Sequence, residues 1–161
     1  LETAGVCHQV RRFKPCEHSL LWGEIVGSDP EGNLRVAAEI LPGEPVLGIC
    51  PLNRIGVHER YTGGFQVGQR RAFHLRRVEA MERNGIARVQ VVLDRVAKTL
   101  VETLLNEQLG TEADRIRFHC LKRYVGHRSL VVTDRRLPKA AILSVDHELR
   151  ERVEVRILRQ P

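Results

Sequence analysis

A chain of 161 residues, 42% hydrophobic and 29% charged, can bury one sizeable core or two small ones and is neither disordered nor fibrous by composition. No apolar run approaches the roughly 20 residues of a membrane helix and no signal peptide is visible, so the expectation is a soluble cytoplasmic protein without a membrane partner; its first residue, Leu1, fits a processed chain or a piece of a longer one. The net charge of +6 is uneven: residues 1–110 hold 14 Lys/Arg and 13 Asp/Glu, residues 111–161 hold 12 and 7, as expected if the C-terminal third faces phosphate or, alternatively, if a basic surface is kept for solubility.

Residues 1–18 read as an irregular N-terminal arm whose Arg11-Arg12-Phe13-Lys14 would favour an acidic partner. Cys7, His8, Cys16 and His18 could in principle hold zinc, but Cys-x8-Cys-x-His lacks the close cysteine pair of the usual fingers, and adjacent Cys7 and His8 would strain joint ligation. Cys7, Cys16 and His18 remain the metal candidates, set against thiols that are incidental to an arm, and no cofactor is expected. Cys50 and Cys120 sit singly in strand-like runs, where a thiol behaves as a small hydrophobe.

Ser19 to Asp29 reads as a first strand, with Trp22 placed in the core because Leu20, Leu21 and Ile25 surround it. Asp29-Pro30-Glu31-Gly32-Asn33 is a turn by composition. Leu34, Val36 and Ala38 alternate with Arg35, Ala37 and Glu39 in a second strand that Leu41-Pro42-Gly43 breaks, and Val46 to Pro51 gives a third. After a loop around Tyr61-Thr62-Gly63-Gly64, Arg70 to Met81 alternates Phe73 and Leu75 with His74 and Arg76 in a fourth. Arg83-Asn84-Gly85 reverses the chain into a fifth, Arg88 to Leu93. From Asp94 the period changes, and Ala97, Leu100, Val101, Leu104 and Leu105 form one helical stripe.

Past Gly110 a second unit begins. Ile116, Phe118 and Cys120 alternate with Arg117, His119 and Leu121; Tyr124-Val125-Gly126-His127 turns the chain, and Leu130 to Val132 returns. Leu137, Ala141, Val145 and Leu149 make a helical stripe entered at Pro138, a residue tolerated in a first turn, and Val153, Val155 and Ile157 alternate with Glu154 and Arg156 in a final strand.

Gly48-Ile49-Cys50-Pro51, Glu59-Arg60-Tyr61 ahead of Gly68-Gln69-Arg70, and Val92-Leu93-Asp94-Arg95 running into a helix resemble, in that order, the S-one RNA-binding domain carried by the NusA family of bacterial transcription elongation and antitermination factors. Behind it, Lys122 to Val131 resembles the opening hairpin of that family's first KH domain at Arg123, Gly126, Arg128, Ser129 and Val131. The resemblance implies a mainly β chain with an α+β part: the arm, a five-stranded barrel of the oligonucleotide-binding class over 19–95, a connecting helix over 96–110, and a reduced KH-like ββαβ unit over 111–161. The family's polymerase-binding domain and second KH domain have no counterpart here.

The chain departs from that family at its binding residues. Base-stacking aromatics on the second and third strands give way to Arg35 and aliphatics, although a guanidinium can stack on a base and meet phosphate. Tyr61, His74 and Arg76 are the other candidates on the barrel. The Gly-x-x-Gly loop that grips RNA in a KH domain is replaced by Asp134-Arg135-Arg136-Leu137-Pro138-Lys139. Phosphate contact is therefore expected from Arg135, Arg136 and Lys139 at the helix start and from Lys122, Arg123, His127 and Arg128 around the hairpin turn, unless the unit is a structural cap. No nucleophile elbow, phosphate-cradling glycine loop or His-Glu-x-x-His is present, so the chain does not read as an enzyme. The resemblance implies an RNA-binding module in transcription elongation or antitermination, with single-stranded or structured RNA as partner. The alternative is a protein-interaction module on the same scaffold, docking a transcription complex or another protein.

Overall fold

The computed structural model describes residues 2–60 and 64–158. The chain is mainly β, with helices at its start and in its C-terminal half. The expectation of an irregular arm is corrected: Glu2–Phe13 forms a helix, α1. Val6, Val10 and Phe13 recur at i, i+4 and i+7, so one face is apolar; Val6 and Phe13 are buried and Val10 packs beside Phe13 against the first core. Arg12 Nη2 donates to Glu44 Oε1 at 2.9 Å, tying the end of α1 to the turn that follows Leu41.

Five strands follow: β1 (Leu20–Ser28), β2 (Leu34–Leu41), β3 (Glu44–Cys50), β4 (Arg70–Arg83) and β5 (Ile86–Asp94). They close on one another in the order β1-β2-β3-β5-β4, with β4 returning to β1 and a short parallel pairing of Gly48 with Val91 and Ile49 with Val92. Alternation decides which side chains fill the interior: Leu21 and Ile25, Val36 and Ala38, Phe73 and Leu75, Val91 and Leu93 all join one core. The β4–β5 reversal falls at Asn84 and Gly85, both with positive φ, as an Asn-Gly hairpin requires.

The helix α2 (Lys98–Leu109) leads through a 3-10 turn to β6 (Phe118–Tyr124), β7 (Arg128–Thr133), α3 (Lys139–Leu149) and β8 (Arg152–Ile157). The second sheet runs β6-β7-β8, antiparallel then parallel. Its inner face, with Cys120, Val131 and Val153, packs with Leu104 and Leu105 of α2 and Val145 and Leu149 of α3 in a second core. That core also takes Ala72 of β4 and, from the outward side of β1, Leu20 and Trp22. Trp22 is therefore a joint between units and not part of the first core; its Nε1–H donates to the Glu107 carboxylate at 2.9 Å. Among the described residues no helix is long and apolar enough to cross a membrane.

Candidate nucleic-acid interface

Two arginines at strand ends, Arg95 and Arg71, lie below the surface in one ionic network. Arg95 is fully excluded from solvent. It donates to both oxygens of Glu59, to Glu148 Oε2 at 2.6 Å, and to the carbonyls of Ala72 and Glu148 at 2.8 and 3.0 Å. Arg71 shares the same carboxylates, at 3.0 Å to Glu148 Oε2 and 3.5 Å to Glu59 Oε2. The ring of Phe65 lies beneath both guanidinium groups. Burial works against the charge on Arg95, but Glu59 and Glu148 outweigh it and raise its pKa further above the ordinary arginine value. Glu59 comes from the loop before β4, Arg95 from the end of β5 and Glu148 from α3, so this network is the joint between the closed sheet and the second unit.

Arg123 corrects a sequence expectation. Its side chain is 1% exposed; Nε and Nη2 engage both Glu151 oxygens, and Nη1 donates to the Ala97 carbonyl at 2.8 Å. Glu151 also accepts from the Gly126 backbone at 3.0 Å and from Ser129 Oγ at 3.3 Å. The cause is a bulge: Cys120 pairs with Val131 but Lys122 with Leu130, leaving Leu121 as the extra residue. A bulge reverses the in-out phase of a strand, so Arg123, which simple alternation from Cys120 would point outward, turns to the inner face opposite Ser129. At the tip, Gly126 has φ +81°, and a Cβ there would stand 2.8 Å from Nδ1 of His58, whose Nε2 bonds the Leu149 carbonyl at 2.9 Å.

His74 is likewise corrected. It lies on the outer side of β4, as alternation predicts, yet is 4% exposed. Its Nε2 is 3.3 Å from Nδ1 of His18, and its Nδ1 meets no partner among the described residues. Burial holds its pKa below the ordinary 6.5, and His18 adds to this while Asp94 opposes it. The unfolded chain therefore takes up a proton near 6.5 and the folded chain only at lower pH, so stability should decline as pH falls below 6.5. Replacing His74 by Gln should make the urea midpoint less dependent on pH in that acid range; an unchanged slope would assign the acid sensitivity to other groups.

Cys7 is exposed on α1, Cys16 ends a 3-10 turn and packs on the first core, and His18 faces His74. Among the described residues no three His, Cys, Asp or Glu side chains are grouped to hold a metal. Cys50 and Cys120 are fully buried small hydrophobes, and burial pushes both thiols upward in pKa.

The remaining candidates fall into three places. Arg35 is exposed on β2, opposite Ile49 and beside Leu47, itself 56% exposed. Arg76 is half-buried at the β4 bulge. Tyr61 lies outside the described residues. Lys122 and Arg128 are exposed on the outer face of the second sheet, with His127 exposed in its turn. Arg135, Arg136 and Lys139 are exposed on the other side, where the β7–α3 loop, the start of α3 and the β8 edge enclose a groove of about 740 Å³. Leu137, Ile142, Val155 and Ile157 form its apolar lining, and Asp134 is the one carboxylate among its lining residues. Sequence reading missed this lining, although the alternation of Val155 and Ile157 on a terminal strand was visible. Searched against family models and against curated proteins, the chain matches none.

Proposed function

We propose that this chain is an RNA-binding module of the S-one plus KH kind, acting in transcription elongation or antitermination, and that its groove beside α3 takes the RNA backbone. The observation that carries the reading is the groove itself: three cations rim an apolar lining at the start of an 11-residue helix. Such a helix start offers backbone N–H groups and a favourable dipole to phosphate. The closed strand order β1-β2-β3-β5-β4 supports a barrel of the oligonucleotide-binding class, and the order β6-β7-α3-β8 supports a reduced KH-like unit.

With three to five phosphates neutralised, affinity for single-stranded RNA should fall with salt at a log-log slope of about −2 to −4. Replacing Arg135, Arg136 and Lys139 together by Ala should weaken binding evenly across sequences and flatten that slope by about 2. A salt-titrated binding assay with single-stranded RNA, duplex RNA and DNA checks both. One observation favours a second reading: the outer face of β3 carries Leu47, 56% exposed, on one of the two strands where the resemblance would place stacking aromatics. If the wild-type chain binds none of the three nucleic acids at low salt, a protein-interaction module is the better reading.

A further inference from the structure

We propose that the outer face of the β6-β7-β8 sheet is a base-stacking platform for single-stranded RNA, separate from the groove beside α3. It rests on the reading of the chain as an RNA binder and adds a second contact of a different physical kind. A sheet with one face packed on helices usually shows water an alternation of polar side chains. Here the outer face departs from that rule. Leu130 and Val132 occupy its central strand, and Leu121 and Tyr124 on β6 are 45% and 48% exposed. The bulge at Leu121, which sends Arg123 inward, also turns Lys122 and Tyr124 out.

Cations border this apolar centre. The Arg128 guanidinium lies over the Tyr124 ring, 5.6 Å from its centroid, so a base added to the stack would meet a flat π-face or a flat cation, both sequence-tolerant partners. Lys122 and Arg156 line the same hollow, about 220 Å³ in volume, and Arg152 lies across from Arg128 in the register. Glu154, 3.6 Å from Arg128, is the carboxylate of the hollow. A hollow of this size is smaller than the roughly 300–1,000 Å³ that encloses a drug-sized ligand. It suits a base laid on a surface with its phosphates toward arginine and lysine. A plain solvated face would not need the contiguous apolar centre, and a protein-docking face would more often be depleted of charge at its core.

The two contacts separate by their salt dependence. In a short single-stranded oligoribonucleotide carrying 2-aminopurine, binding by the wild type should quench the fluorescence as the base stacks. Tyr124→Ala should weaken binding about 5- to 150-fold, the range expected for one lost stack, abolish the quenching and leave the salt slope unchanged, while Tyr124→Phe should keep both. Arg156→Glu, on an exposed side chain, should weaken binding and serves as a second variant if Tyr124→Ala does not fold. The groove variant of Arg135, Arg136 and Lys139 should flatten the salt slope yet still quench at saturation. Unchanged affinity and quenching in Tyr124→Ala or, where that variant does not fold, unchanged affinity in Arg156→Glu would overturn the platform and leave the groove standing. No binding by the wild type at low salt would overturn both.

Discussion

Replacing Arg95 by Ala should lower the unfolding free energy by about 3–5 kcal/mol, the cost of leaving buried charge without its partner. Glu59 is 2% exposed and accepts from Arg95 through both oxygens, and Arg71 alone would have to serve it and Glu148 together. The Ala72 and Glu148 carbonyls would also lose a donor. Arg95→Lys should recover little, because one ammonium cannot reproduce a planar fork that meets two carboxylates and two carbonyls. A double replacement, Arg95→Met with Glu59→Leu, removes one cation and one anion and leaves Arg71 paired with Glu148 at 3.0 Å. Its loss should be clearly smaller than the sum of the two single losses. Urea unfolding of the wild type, both single variants and the double closes the cycle, and additive losses would show that the side chains act independently.

Arg123→Ala should be comparably destabilising, again about 3–5 kcal/mol, because Glu151 would stay buried with only Gly126 N–H and Ser129 to balance its charge. Arg128→Ala, five residues away on the exposed face, should change stability by no more than about 0.5 kcal/mol, since its ion pair with Glu154 at 3.6 Å is a surface one. Thermal unfolding monitored by circular dichroism distinguishes the two. Equal losses would refute the assignment of Arg123 to the interior. The contrast also governs how binding data are read: a defect in an Arg123 variant reports unfolding, whereas one in an Arg128 variant reports the surface.

Much of the fold was legible because period-2 and period-3.6 patterns are local. The alternations from Leu34, Phe73 and Val153 and the stripe from Leu100 to Leu105 led to strands and a helix within a few residues of those found. The stripe Val6, Val10, Phe13 was equally present, but three apolar positions in a segment that also holds Cys7, His8, Arg11 and Arg12 make a weak helical signal. Burial of charge was not legible. Arg95 and Arg123 look in sequence like Arg35 and Arg128, and only the meeting of Glu59 with Glu148, 89 positions apart, makes the interior habitable for the first. A single bulge at Leu121 decides the second, and such a phase slip leaves no mark in the pattern of residue types. The candidate site was legible only as a list of cations; its division between two sides of one sheet needed the register.

The joint around Arg95 bears on how exchangeable the two units are. A boundary drawn from sequence at residue 95 passes through the place where three segments of the chain share their hydrogen bonds. Moved to another scaffold, the second unit would bring Glu148 without a cation, and the closed sheet left behind would keep Arg95 and Arg71 facing one glutamate. Recombination at this border is therefore penalised on both sides, whereas substitutions in the grooves and faces away from it are not. The network around Arg95 binds the two units to a common inheritance.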